Sequence, residues 1–102
     1  MAYKVHWLRR AEKDFDAIFL FYCQMAVEHV AKRRLSKILD TTDAIGFMPH
    51  IGQLDQDYSH TPTYRYITVL DYRIYYFTEE EVVNIAAIWD CRQEGQVFVD
   101  NK

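Results

Sequence analysis

Glycine and proline are scarce, with three and two in 102 residues. That scarcity excludes collagen-like, linker-like and low-complexity chains. The two cysteines, Cys23 and Cys91, are far apart and belong to no CxxC pair, so a disulfide scaffold is excluded as well. The longest unbroken apolar run is Ala17–Cys23, seven residues, against the roughly 20 that a membrane helix needs. The opening Met1-Ala2-Tyr3-Lys4-Val5-His6 has no basic segment followed by an apolar core, so no secretion signal is expected and the expected location is the cytoplasm. The four histidines, His6, His29, His50 and His60, are scattered, and none has a Cys, Asp or Glu at ligand spacing. Three glycines cannot build a phosphate-cradling loop. The sequence therefore points to no metal, no cofactor and no membrane partner.

What the chain does carry is an aromatic load of 16% and an uneven charge. Five of its eight tyrosines fall between Tyr64 and Tyr76. The net charge is −3, yet residues 1–40 hold eight basic and five acidic side chains while residues 41–102 hold four and ten. A split of this kind speaks to partners rather than to fold. With half its residues hydrophobic, a chain of this length has the composition of one compact domain spanning residues 1–102.

Period changes divide the chain into elements. Tyr3–Leu8 alternates large apolar with polar residues and predicts a short strand. Ala11, Phe15, Ile18, Phe19 and Tyr22 then recur at helical spacing, and acidic residues in the opening turns complement the helix dipole. After a slip near Gln24–Ala26 a second stripe runs through Val27, Val30, Ala31, Leu35, Ile38, Leu39, Thr42 and Ile45. It stops at Gly46-Phe47-Met48-Pro49. Phe15, Ile18, Tyr22, Val30, Leu35 and Ile38 are expected to face the sheet, with Ile67 and Ile85 opposite. Residues 46–63 hold both prolines and read as a loop. Tyr64–Leu70, Tyr72–Thr78 and Val82–Asp90 read as strands joined by hairpin turns. The predicted class is α+β: an N-terminal strand, a two-helix antiparallel hairpin, then a three-stranded antiparallel meander, with the helices on one face of the sheet. The pairing partner of the first strand is not legible.

Three arginines follow residue 41, namely Arg65, Arg73 and Arg92, and all are tied to the strands. Alternation puts Arg73 on one face with Tyr75 and Phe77, opposite Ile74 and Tyr76. The chain resembles the RelE/ParE superfamily of toxins from type II toxin–antitoxin modules, also known as plasmid-stabilisation proteins. Four stretches carry the likeness, in order. They are Ala11-Glu12-Lys13-Asp14-Phe15-Asp16-Ala17-Ile18, then Ala31-Lys32-Arg33-Arg34-Leu35-Ser36-Lys37-Ile38, the Met48-Pro49-His50-Ile51-Gly52 turn, and Asp71-Tyr72-Arg73-Ile74-Tyr75-Tyr76 with Trp89-Asp90-Cys91-Arg92-Gln93.

The resemblance implies a growth inhibitor held by a cognate acidic antitoxin, acting in one of two ways. ParE-like members bind DNA gyrase and block it; RelE-like members cleave mRNA on the ribosome. In a ribonuclease Arg73 and Arg92 would clamp the scissile phosphate and stabilise the phosphorane. Arg65, Tyr64 and Tyr66 would be contacts to RNA or to a partner protein, the tyrosines as stacking platforms if exposed. The chain departs from the nuclease pattern: Tyr64 and Tyr66 stand where such an enzyme carries lysines, and Phe98 where it carries a tyrosine. An acidic chain is also poorly suited to docking on ribosomal RNA. The departures favour the gyrase-binding branch, with the ribonuclease, or a degenerate member that only binds its antitoxin, as alternatives. The basic cluster Lys32, Arg33, Arg34 and Lys37 is the expected antitoxin contact, read otherwise as the solvated face of a helix.

Overall fold

The computed structural model describes residues 2–25, 28–55 and 62–92. Strand β1 (Lys4–Trp7) leads into helix α1 (Arg9–Met25) and helix α2 (Glu28–Phe47); then come β2 (Gln53–Leu54), β3 (Arg65–Val69), β4 (Tyr72–Glu79) and β5 (Val82–Asp90). They form one mixed sheet of order β1-β5-β4-β3-β2, in which β1 runs parallel to β5 and every other pair is antiparallel. The α+β order read from the sequence holds. No helix among the described residues is long and apolar enough to cross a membrane.

The helices cover one face of the sheet. Ala11, Ile18 and Tyr22 of α1 and Ala31, Leu35, Ile38 and Ile45 of α2 form a buried core with Tyr72, Ile74, Tyr76, Val83, Ile85 and Ile88 of the sheet. Val5 and Trp7, the alternate residues of β1, join it at the edge, and Trp7 meets Phe15 edge-on at 5.5 Å. Of the predicted stripes, Val27 lies outside the described residues, and Phe19 and Leu39 remain 45% and 44% exposed. Each sits next to a buried isoleucine, Ile18 or Ile38, and a helix turning about 100° per residue cannot bury both neighbours against one flat layer. Val30 is half-buried and Phe15 and Ile67 lie at the rim.

Strand β5 departs from simple alternation. Tyr75 pairs with Ala87 and Tyr76 with Ile85, so Ala86 is an extra residue, a bulge. The bulge puts Ile85 and Ile88, three residues apart, on the helix side. Ala86 and Ala87 turn together to the other side. There they build a second cluster with Tyr64 and Tyr75, flanked by Leu8, Tyr66, Phe77 and Trp89. Among the described residues no helix residue belongs to this second cluster.

The segment read as a loop contains a two-residue strand. Gln53 and Leu54 pair with Tyr66 and Arg65, because a tyrosine from the sheet pins the residues before them. The buried hydroxyl of Tyr76 accepts the Gly52 N–H at 2.9 Å and donates to the Pro49 carbonyl at 3.0 Å, while Arg65 donates to the Gly52 carbonyl at 2.8 Å. Hydrogen bonds from side chains of a distant strand carry no local sequence signal. A Cβ on Gly52 would lie 2.6 Å from the Tyr76 hydroxyl oxygen and 3.0 Å from the Tyr66 carbonyl.

Two-residue turns close the meander. Glu80 and Glu81 both have positive φ, 53° and 63°, as a type I′ turn requires. Glutamate is a poor residue for that geometry, which Asn-Gly adopts at little cost. Replacing Glu80 by Asn and Glu81 by Gly is expected to raise stability by about 1 kcal/mol in urea unfolding. Ile38→Ala, at a fully buried position, should lower it by about 2–5 kcal/mol. A loss below about 0.5 kcal/mol would contradict the packing of α2 described here. Gly52→Ala should likewise destabilise, through the contact with Tyr76, whereas an alanine in an open loop would not.

Candidate functional site

Arg73 lies near the start of the tyrosine-rich strand β4, on the face opposite the helices. Its guanidinium stacks 4.5 Å from the centre of the Tyr66 ring. The neighbouring Tyr75 hydroxyl is the largest cause of its raised pKa. Tyr66 in turn donates to Gln53 Oε1 at 2.8 Å, and its ring leans on Tyr75 at 5.7 Å. Tyr64 belongs to the same face but is only 1% exposed, edge-on to Phe77 at 5.4 Å. A ring so covered offers no stacking surface to a base, whereas Tyr66 is half-buried with Arg73 on it. Arg65 points the other way along β3 and spends its guanidinium on the carbonyls of Gly52 and His50.

Arg92 sits across the sheet from Arg73. It lies two residues beyond the end of β5 and is clamped by Asp90, with Nε and Nη2 each 2.9 Å from a different carboxylate oxygen. The same guanidinium lies 5.7 Å from the centre of the Tyr72 ring, which belongs to the helix-side core. Since Tyr72 and Arg73 are neighbours on one strand, their side chains, and with them Arg92 and Arg73, fall on opposite faces. The bidentate pair holds the Asp90 carboxyl below the usual carboxylate range and raises Arg92. Burial pushes the Tyr72 hydroxyl up, and its bond to Tyr22 adds to that. Thus the two arginines expected to share one phosphate are each engaged by their own strand, with the sheet between them.

A recess of about 430 Å³ opens between α1 and the end of β5, lined by Arg10, Asp14, Ile18, Phe21, Tyr72 and Trp89 among others. Here β1 has already ended, since it covers β5 only as far as Ile85. Asp14 replaces the missing strand, accepting the Ile88 N–H at 2.9 Å while its carboxylate lies 3.7 Å from Arg10 Nε. Arg10 also lies 5.9 Å from the centre of the Trp89 ring. The sequence marks Asp14 only as a helix-dipole acid; its reach to a strand 74 residues away was not legible.

The basic cluster on α2 divides. Lys32 pairs with Glu28 at 3.1 Å on the surface. Arg34 turns inward, 5.3 Å from the centre of the Tyr22 ring and 3.9 Å from Asp71, with its Nη1 buried and without a hydrogen-bond partner. Arg33 and Lys37 stay exposed. Among the described residues no group of three or more His, Cys, Asp or Glu is placed to hold a metal ion. Phe98 lies outside the described residues, as does His60.

Comparison with known proteins gives two findings. The family model described as the ParE toxin of the type II toxin–antitoxin system parDE matches residues 5–95. Among solved structures, a chain from the chromosomal ParDE toxin–antitoxin system of P. aeruginosa superposes with a TM-score of 0.73 at 19% identity, covering 87% of this chain and 96% of that one. At that identity the likeness is one of fold. No curated protein sequence matches.

The Asp14 contact yields a pH test. Burial raises the Asp14 pKa above 3.8 against the pull of the Ile88 N–H and Arg10. Between 3.8 and the raised value the folded chain therefore binds more protons at this site than the unfolded one. Its contribution to stability falls as pH rises through that window. Asp14→Asn keeps a carbonyl acceptor for Ile88 and should remove this decline in urea melts followed across acid pH. Asp14→Ala orphans the Ile88 N–H and should cost about 1–3 kcal/mol at every pH.

Proposed function

Because the chain belongs to the family of ParE toxins of type II toxin–antitoxin systems, we propose that it arrests growth in the cytoplasm by binding DNA gyrase and that a cognate acidic antitoxin neutralises it. The observation that carries the reading against an RNA-cutting member is the separation of Arg73 and Arg92. Cleavage by a neighbouring 2′-hydroxyl needs cations converging on one crowded phosphate, together with a base. Here one arginine is stacked on Tyr66 and the other is neutralised by Asp90 on the far side of the sheet. Inhibition by binding asks for no such convergence. It asks for a folded surface, and the net charge of −3 favours a protein partner over ribosomal RNA.

The antitoxin is proposed to approach the helix layer, where Arg33 and Lys37 are exposed beside Lys32. Arg34 contributes less than a count of charges suggests, being turned to Tyr22 and Asp71. Long-range attraction to this patch would speed association and would be screened within about 10 Å at ordinary salt.

Two assays on the purified chain test the reading. It should inhibit supercoiling by gyrase and leave mRNA intact in a purified translation mixture. Cutting of mRNA that disappears in both Arg73→Ala and Arg92→Ala would overturn the gyrase reading in favour of a ribonuclease. A chain inert in both assays would be an antitoxin-binding member without poison activity. For the partner, association of the antitoxin encoded by the adjacent reading frame should slow with added salt. The double change Arg33→Glu, Lys37→Glu should slow it further, by about tenfold. Recovery of no small acidic protein on pull-down from the host would contradict the neutralisation step.

A further inference from the structure

The sheet face opposite the helices carries Tyr66, Tyr75, Phe77 and Trp89 around two alanines, and no described helix residue packs on it. Aromatic side chains on a face that no helix covers form a surface suited to a partner. We propose that this face, centred on Arg73 and Tyr66, is the surface with which the toxin grips its target, and that it takes an acidic protein segment with an apolar side chain beside the carboxylate. The proposal rests on the toxin reading above and adds to it the side of the molecule that acts.

Three observations support the choice of partner. First, the Arg73 guanidinium is held in place before any partner arrives, by the ring of Tyr66 at 4.5 Å. An arginine fixed in this way loses little freedom on binding, and its remaining N–H groups suit the two oxygens of a carboxylate. Second, that guanidinium forms no ion pair among the described residues. Its electrostatic neighbours are Tyr75, Tyr66 and Cys91. The carboxylate that shares its recess, Asp55, acts on Tyr75 instead. The other three arginines with acidic neighbours, Arg10, Arg34 and Arg92, have theirs within 4 Å. Third, the recess beside Arg73 is open, about 600 Å³, and is bounded by Gln53, Leu54 and Tyr66. The half-buried rings of Phe77 and Trp89 on the same face offer an apolar side chain its contact.

A nucleic acid would be a poorer occupant. Trp89, the cross-strand partner of Arg73, carries Arg10 over its ring, and Arg10 is already paired with Asp14. Glu79 follows Arg73, Tyr75 and Phe77 on the same side of β4 by alternation. A strand of phosphates is held by several cations in a row, whereas one carboxylate flanked by apolar groups needs a single fixed guanidinium. The face also lies across the sheet from Arg33 and Lys37, so the target and the antitoxin would meet different sides of the toxin.

The test compares Arg73→Glu, Arg73→Lys and the control Lys13→Glu, which changes charge equally at an exposed position of α1. Each is purified at full length, checked by thermal melting followed by circular dichroism, and titrated into a gyrase supercoiling assay alongside the unaltered chain. Arg73→Glu should raise the half-inhibitory concentration by at least about tenfold, Lys13→Glu by less than about twofold. Arg73→Lys keeps the charge and should fall between them, which holds the test open if the glutamate variant melts early. Tyr66→Ala, which removes the ring beneath the guanidinium, should weaken inhibition as well. Equal potency of Arg73→Glu and the unaltered chain would overturn the proposed face while leaving gyrase as the target. An unaltered chain that fails to inhibit gyrase would overturn the toxin mechanism and this proposal with it. Cleavage of mRNA that Arg73→Glu abolishes would make the face a nucleic-acid surface and overturn the acidic-segment proposal.

Discussion

The bulge at Ala86 sets the arrangement on which the rest of the molecule depends. Strand β5 lies between β1 and β4 and packs under both helices. A strict two-residue alternation from Val83 would put Ala87 and Trp89 under the helices and Ile88 outside. The extra residue reverses the phase, so that Val83, Ile85 and Ile88 all enter the core while two alanines turn to the other side. Small side chains there let the rings of Tyr64 and Tyr75 lie down on the strand and become buried, although no helix covers them. Around Ala86 and Ala87 the sheet is thereby covered on both sides, one by helices and one by the buried rings of Tyr64 and Tyr75.

That division accounts for the heavy use of tyrosine between residues 64 and 76. Each ring supplies apolar area to one face, and its hydroxyl then ties that face to something else. Tyr76 reaches the loop at Pro49 and Gly52. Tyr72 meets Tyr22 of α1 and receives Arg92. Tyr66 meets Gln53 on the edge strand. Phenylalanine would pack in these places and leave the N–H of Gly52 without its acceptor, which is more costly than the bond itself is favourable.

The arginines follow the same geometry, and their differences are electrostatic in origin. Arg92 is saturated by a carboxylate two residues away, so it stabilises the end of β5 and has little left to offer a ligand. Arg34 is drawn under Tyr22 and toward Asp71. Arg65 serves backbone carbonyls. Arg73, with rings and hydroxyls for neighbours, keeps its charge uncompensated by a paired acid among the described residues. The side chain is the same in all four positions; what separates them is which groups the fold has placed within reach.

By itself the sequence determined the kind and order of the elements, because hydrophobic period is a local property: two residues for Lys4–Trp7 and β4, three to four for α1 and α2. The side of Arg73 relative to Tyr75, Phe77 and Ile74 was legible for the same reason, as was the family, whose marks lie in four short stretches. Tertiary structure alone decided whatever depends on residues far apart in the chain. The parallel pairing of β1 with β5, the edge strand pinned through Tyr76, and the Asp14 carboxylate capping Ile88 all join segments between 24 and about 80 residues apart. The bulge, though local, was hidden too, since Ala86-Ala87-Ile88 reads equally well in either phase until the helices require Ile88 on their side. The same holds for the roles of the arginines. An acid close in sequence, such as Asp71 near Arg73, did not become its partner, because Asp71 lies in the turn before β4, outside the strand's alternation, and its carboxylate reaches Arg34 on the helix layer.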